Sequence, residues 1–415
     1  MAIIKPFKAF RPLPEKSKPV ASRPYDVLNS KEARKEVVGN PESFLHVVKP
    51  EIDLPESTDP YSAEVYEKGK SNFKSLVEEG IFFQEEKACL YIYELTMDGR
   101  SQDGIVASAA VEDYLSNVIK KHELTRPDKE KDRKMHVRVS MMNAEPVFFA
   151  YPNVQRIDEV VAEIKKSDAI YDFTADDGIV HRLWKVDNDQ QIQDIVSEFE
   201  KLPATYVADG HHRTAAAALV GDDLKNENPN HTGDEEYNYF LAVHFPDNQL
   251  EIIDYNRVVK DLNGLSKDDF LAKLGHSFTI RENESGQAKP SSLHEFGMYL
   301  EGDWYFLTAK DGTYDDSDPI GVLDVTILSE HILKPVLNIH DLRTDKRLEF
   351  VGGIRGLSEL EKRVDSCEMN GAFALYPVTM QQLIDIADSG AIMPPKTTWF
   401  EPKLRSGLFV HSLKD

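Results

Sequence analysis

The sequence predicts an α+β fold with mixed sheets, carried by a two-part chain. Three observations predict it. Short apolar runs bounded by turn signals mix with segments of helical spacing, without the strict strand-helix alternation of a doubly wound fold. The length, 415 residues, exceeds one ordinary domain and is enough to bury sizeable cores. A break falls near residues 245 to 265 and divides the chain into an N-terminal half, 1–250, and a C-terminal half, 251–415.

The first 60 residues are rich in proline and charge, and "NPESFLHVVKPEIDLPESTDP" predicts extended chain between turns, a wrapped arm. A helix is expected in "SAEVYEKGKSNFKSLVEEG". Next, "ACLYIYEL" and "GIVASAAV", separated by the turn-forming "TMDGRSQD", predict paired strands, with a helix following in "EDYLSNVIKKHE". "AIYDFT" and "IVHRLWKV" flank "ADDG", a hairpin signal, and "DQQIQDIVSEFEKL" places Ile192, Ile195, Val196 and Phe199 at helical spacing. "YNYFLAVHF" and "LEIIDYNRVV", joined by "PDNQ", predict a strand pair. Ser266, with Asp269 three residues on, opens a helix in "SKDDFLAKLG". The polar "RENESGQAKPSS" predicts a surface excursion or domain boundary. Beyond it come a hairpin in "MYLEGDWYFLTA", a helix in "LDVTILSEHILKPVLNI", a buried strand in "GAFALYPV" and a helix in "MQQLIDIADSG". No internal repeat or low-complexity tract interrupts this order.

Acidic residues outnumber basic ones by 72 to 49, a formal net charge of −23, and no long basic block offsets it. Such a surface repels a nucleic-acid backbone, so no nucleic-acid partner is expected. Two cysteines, Cys89 and Cys367, make neither a disulfide framework nor a thiol zinc cluster, which points to a reducing compartment and a cytoplasmic location. "MAIIKPFKAFRPLPEK" is far from a signal-peptide core and no later run could span a bilayer, so no membrane role is expected.

The chemistry concentrates in "YVADGHHRTAAAALV", residues 206–220. "ATYV" reads as a short strand, Asp209 and Gly210 as a turn, and Thr214 onward as a helix whose alanines allow close packing. A strand, turn and helix in that order leave backbone N–H groups at the helix N-terminus aimed at whatever lies above the turn, and such a site favours an anion. Arg213 in the first helical turn opposes the helix dipole, which a bound phosphate would justify through bidentate hydrogen bonding. His211 and His212 could add donors, and Gly210 lets a ligand approach the backbone. The plainer alternatives are surface histidines and an Asp209 that only caps the helix. A shared transition metal is disfavoured, because neighbouring helical positions point about 100° apart and the i, i+4 spacing is absent.

"ADGHHRTAAA" resembles the signature of the ParB/sulfiredoxin superfamily of nucleotide-binding modules, in which a Gly-x-x-Arg turn before an Ala-rich helix cradles phosphates. Within it, Asp-Gly-His-His-Arg is most similar to the free L-serine kinases. "PFKAFRP", "NPESFLHVVKPEIDLP", "IKKHELTRPDKEKDR" and "MPPKTTWFEPKLRSGLFVH" make the whole chain resemble a bacterial family known as a domain of unknown function. The resemblance implies a ParB/sulfiredoxin-like module embedded in the N-terminal half. The departures matter as well. His211 stands where sulfiredoxins carry a reactive cysteine, and no basic recognition helix accompanies the turn as it does in ParB proteins. The serine kinases are much shorter, so over half of this chain has no counterpart in them.

Two further stretches bear on function. In "VIKKHELTRPDKEKDRKMH", Thr125, Pro127 and Asp128 predict a capped helix start, which leaves His122 and Glu123 in a break between two helices. By the serine-kinase resemblance Glu123 is the match for a general base; the alternative is a solvated charged face. "MPPKTTWFEPKLRSG" gathers Lys396, Lys403 and Arg405, either a phosphate clamp or a structural plug, with Trp399 covering a base or anchoring the loop.

The expectation is a nucleotide-dependent kinase acting on a small hydroxylated metabolite, best guess free L-serine, with ATP or ADP as donor and Mg²⁺ as cofactor. Its catalytic residues are Glu123, Asp209 and His211, its nucleotide-binding residues Gly210, His211, His212, Arg213, Thr214, Lys396, Lys403 and Arg405, and its metal ligand Asp209. An oligomer is compatible with the sequence. The alternative is a nucleotide-binding or hydrolysing switch without DNA binding. With −23 charges, the protein should show no retention of duplex DNA at physiological salt; fluorescence anisotropy with and without nucleotide checks this, and salt-sensitive, nucleotide-gated binding would favour the switch.

Overall fold

A computed structural model describes residues 1–414. The fold is α+β with several sheets, and the chain divides into two compact units. One runs from Met1 to Leu250 and takes back the chain from Pro402 onward; the other is Glu251–Glu401. The C-terminal half expected over 251–415 therefore ends at Glu401.

The first unit is built on a nine-stranded mixed sheet. Its strands are β1 (Ile4–Lys5), β2 (Leu90–Met97), β3 (Arg100–Ala110), β4 (Ile119–Lys120), β5 (Val147–Tyr151), β6 (Tyr171–Thr174), β7 (Val180–Val186), β8 (Thr205–Asp209) and β9 (Tyr239–Pro246). The order is β4-β8-β5-β9-β3-β2-β7-β6, with β1 beside β3. Only β4 with β8 and β5 with β9 run parallel. Five longer helices accompany the sheet: α1 (Ala63–Glu78), α2 (Pro127–Ser140), α3 (Gln155–Ile164), α4 (Asp189–Phe199) and α5 (His211–Glu227).

Ile157, Val160, Val161 and Ile164 of α3 and Ile195 and Phe199 of α4 share one apolar cluster with Leu90, Ile92, Ile105, Trp184 and Val186. That burial of aliphatic stripes is what holds both helices to the sheet. Helix α5 is different. Ala215 to Ala218 are all buried, and Ala217 and Ala218 lie against Val147, Phe149, Val207 and Phe240. Small side chains bring this helix close to its neighbours: a Cβ on Gly221 would stand 2.5 Å from the Tyr237 carbonyl oxygen.

Several sequence expectations change here. The arm before residue 60 is not simply extended, because Leu45–Val48 is a turn of α-helix and Pro50–Asp53 a 3₁₀ turn. Phe44, Val47 and Val48 sit at helical spacing and are fully buried, a period that the flanking prolines obscure. "EDYLSNVIKKHE" is helical only over Val111–Leu115 and then forms β4, where buried Ile119 pairs with Thr205. His122 and Glu123 thus follow a strand rather than a helix. The strand pair expected across "PDNQ" does not form, since both edges of β9 are occupied by β3 and β5. Asp247–Gln249 is a 3₁₀ turn.

The second unit has a six-stranded antiparallel sheet of β10 (Tyr255–Val259), β11 (Phe278–Glu282), β12 (Glu295–Leu300), β13 (Asp303–Ala309), β14 (Leu348–Gly352) and β15 (Gly371–Ala374). Its order is β11-β13-β12-β15-β10-β14. Where the chain enters and leaves this unit, Ile252–Ile253 pairs with Trp399–Phe400. Ser266 caps Lys267–Leu274 by accepting from the Asp269 amide. "RENESGQAKPSS" finishes β11 and continues as a loop inside the unit, so it is no boundary.

Asp324 opens the helix Asp324–Leu328 and is 4% exposed. Its Oδ1 accepts from the His294 amide at 2.9 Å, yet burial pushes the carboxyl up to about 7. A carboxyl raised in the folded state favours folding at low pH, and that advantage is lost as pH climbs from about 4 to 7. Asp324→Asn should flatten this slope, about 1.4 kcal/mol per pH unit at most, and stabilise the protein at pH 8 but not at pH 4; urea unfolding at both pH values checks it.

Candidate functional site

The parallel pairing of β4 with β8, Ile119 opposite Thr205 and Lys120 opposite Tyr206, sends both strands out at one edge of the sheet. From β4 the chain enters the loop 121–126; from β8 it enters Gly210 and α5. Loops at strand C-termini are where open sheets hold ligands, and here two such loops meet, 86 residues apart in sequence at Glu123 and Asp209.

Asp209 is the last residue of β8 rather than part of the turn, and α5 begins at His211, three residues earlier than expected. Gly210 makes the corner with φ 93°, a left-handed conformation that glycine adopts without strain. It offers no capping side chain, so the amides of His211, His212 and Arg213 gain no acceptor from the helix or its cap. Thr214 donates its hydroxyl to the Gly210 carbonyl at 3.0 Å and is fully buried. That hydroxyl serves the helix rather than the ligand expected of it.

Arg213 does not reach out as a phosphate clamp. It is 7% exposed; Nη2 donates to Asp209 Oδ2 at 3.0 Å and Nη1 to the Pro146 carbonyl. The guanidinium lies beneath Gly210, where an added Cβ would be 3.1 Å away. Asp26, Asp209 and Glu145 surround it, and although burial works against the charge, these carboxylates raise its pKa. Glu145 in turn accepts from the Tyr25 amide at 3.0 Å and the Ser406 hydroxyl at 3.1 Å, and stands 3.7 Å from Arg133. Burial pushes the Glu145 carboxyl up despite Arg213 and Arg133.

Asp209 Oδ1 lies 3.4 Å from the Lys403 ammonium. Burial alone would raise this carboxyl; the Lys403 and Arg213 cations outweigh it and bring it down to about 2. The carboxylate is therefore held ionised between its two cations. It does not suit a resident Mg²⁺. Both its oxygens already face cationic side chains, and among the described residues no group of three or more His, Cys, Asp or Glu could hold an ion.

The two histidines diverge. His211 turns inward, 7% exposed, with its ring edge-on to buried His122 at 4.5 Å between centroids. Burial, then the neighbouring His122, holds its pKa well below the usual value, so the ring is neutral. Among the described residues its Nε2 is buried without a hydrogen-bond partner, and its Nδ1 is 3.9 Å from Glu123 Oε2. His212 accepts the Arg126 amide through Nε2 at 3.0 Å and so fastens loop 121–126 to α5. Glu123 is 40% exposed at the mouth of this arrangement.

The basic C-terminal stretch is divided. Lys396 belongs to the second unit, its ammonium 5.7 Å from the Tyr255 ring centre. Trp399 packs on Tyr255 and donates to Glu401 at 2.8 Å, which anchors the loop. Arg405 is buried, hydrogen-bonded to His181 at 3.2 Å and ion-paired with Asp177. Lys403 alone of the three pairs with the Asp209 carboxylate. Sequence reasoning missed Glu145 and Asp26 as parts of the site. A lone acid in "NAEPV" and another in "RPYDV" carry no local signal.

A family model described as "Protein of unknown function (DUF1015)" matches residues 4–326. No curated protein matches the chain. Solved structures similar to it include a conserved hypothetical protein from Pyrococcus furiosus, 13% identical, covering 74% of this chain and 94% of that one with a TM-score of 0.36. A free serine kinase in complex with AMP is 11% identical over 74% and 91% of the two chains, TM-score 0.37, a longer match than expected from the sequence, where over half of this chain was to have no counterpart. SbnI with a C-terminal truncation, from Staphylococcus aureus, is 10% identical over 74% and 87%, TM-score 0.32.

Removing Arg213 leaves buried Glu145 and half-buried Asp209 with one cation fewer. Arg213→Ala should therefore cost roughly 3–5 kcal/mol of stability, a loss read by chemical denaturation, whereas an exposed phosphate clamp would leave stability unchanged.

Proposed function

The chain belongs to the DUF1015 family, and we propose that its first unit is a ParB/sulfiredoxin-like nucleotide-binding module that works as a kinase on the hydroxyl of a small metabolite. The observation that carries this is Glu123 standing 3.9 Å from His211 at the uncapped N-terminus of α5. A carboxylate beside a phosphate-ready helix end is the pairing that phosphoryl transfer to an alcohol requires.

In this proposal the amides of His211 to Arg213 take the terminal phosphates of ATP or ADP, and Gly210 lets them approach the backbone. Glu123 accepts the proton of the substrate hydroxyl as its oxygen attacks the terminal phosphorus. The bond from that phosphorus to the bridging oxygen breaks, and the shortened nucleotide leaves with the electron pair. Neutral His211 backs Glu123 from the buried side. Arg213 acts through Asp209 and Glu145 as the support of the turn rather than as a phosphate ligand. Free L-serine is the leading substrate candidate on the Asp-Gly-His-His-Arg motif, and the resident Mg²⁺ expected at Asp209 has no part in the scheme.

Glu123→Gln should lower turnover about 10²- to 10⁴-fold with nucleotide affinity nearly unchanged, because a general base contributes in the transition state. Calorimetry with ATP and ADP, and mass detection of phosphorylated serine and related hydroxyl compounds, measure the two quantities. Equal turnover in the variant and the wild type would remove Glu123 from the chemistry.

A further inference from the structure

Lys403 reaches Asp209 by an indirect route. The chain leaves the first unit after Leu250 and rejoins it at Pro402. There it is stitched to the N-terminal arm: Ser406 and Ser22 exchange backbone hydrogen bonds of 2.9 and 3.1 Å, and Phe10 and Val410 exchange bonds of 2.9 and 2.8 Å. Lys403 is therefore delivered by a fixed backbone, three residues before the first of these bridges, and its side chain is 15% exposed.

The Asp209 carboxylate is divided between two cations. Oδ2 faces Arg213, which Asp26 and Glu145 also surround and which is buried under Gly210. Oδ1 faces Lys403 at 3.4 Å. A divalent ion at Oδ1 would sit against an ammonium already in that place and would be repelled by it at a separation where charges interact strongly. An ammonium on a four-carbon stem can instead move between a carboxylate and a phosphate, which a planar, doubly engaged guanidinium cannot do.

We propose that Lys403 is the built-in counter-ion of Asp209, excluding a divalent cation from Oδ1, and that a bound nucleotide phosphate draws the ammonium toward itself. The second half of this statement rests on the nucleotide-binding function above; the first half does not.

Two measurements on the full chain separate the halves. Mn²⁺ binding without nucleotide, followed by electron paramagnetic resonance of the free ion, should be undetectable in the wild type and in Lys403→Arg but should appear in Lys403→Met and Lys403→Gln. ADP affinity in the presence of EDTA should fall roughly ten- to a hundredfold in Lys403→Met, the worth of one charged hydrogen bond, with Lys403→Arg falling less. Circular dichroism melts establish that each variant is folded; if the neutral variants are not, Mn²⁺ bound by the wild type without nucleotide overturns the counter-ion, and ADP affinity unchanged in Lys403→Arg overturns the transfer. Mn²⁺ bound equally by wild type and Lys403→Met overturns the counter-ion. ADP affinity unchanged in Lys403→Met overturns the transfer to phosphate. Failure of ADP to bind the wild type at all sinks the proposed function and the transfer together, while the Mn²⁺ measurement still judges the counter-ion.

Discussion

The Asp209 carboxylate, held between Arg213 and Lys403, is the interaction on which the site depends. This half-buried carboxylate ends the strand next to the sheet's edge, and the two cations keep it ionised. Each partner constrains its own element. Arg213 has to occupy the first turn of α5 against the helix dipole, a placement its carboxylate neighbours compensate. Gly210 has to lack a side chain, both for its positive φ and because the guanidinium fills the space beneath it.

Glu145 ties the N-terminal arm and the returning segment to the same turn. Tyr25 of the arm and Ser406 of the returning segment converge on Glu145, and Glu145 faces the same guanidinium as Asp209. The buried charges therefore join four segments that lie far apart in sequence. Such networks cost desolvation and are sensitive to loss of any member, since a partner left behind is an uncompensated buried charge.

The overall charge of −23 does not decide what binds at this edge. Lys121 is close enough to His211 to act on its titration, Arg126 closes the neighbouring loop, and Lys403 stands at the carboxylate. Charges elsewhere on the surface are screened over about 8 Å at physiological ionic strength. A local cluster of cations with a helix N-terminus can favour an anion on a protein that is acidic as a whole.

The sequence by itself determined the class of fold, most hairpins and several of the longer helices, because their signals are local, although Gln155–Ile164 and Leu357–Asp365 went unread. Apolar spacing marks Asp189–Phe199, the Ser266 cap marks Lys267–Leu274, and turn residues mark the pair Tyr171–Thr174 and Val180–Val186. It also singled out Asp209 to Arg213, because glycine, charge and an alanine run stand together in one short stretch. Only the tertiary structure decided what those residues touch. Nothing in "EDYLSNVIKKHE" announces that Ile119 pairs in parallel with Thr205, the step that carries Glu123 to the turn. Nothing in a basic C-terminal loop tells that Lys403 meets Asp209 while Arg405 meets Asp177 and Lys396 stays with the second unit. Periodicity records which face of an element is buried; the partner of a buried charge is set by chain segments distant in sequence, which no local pattern encodes.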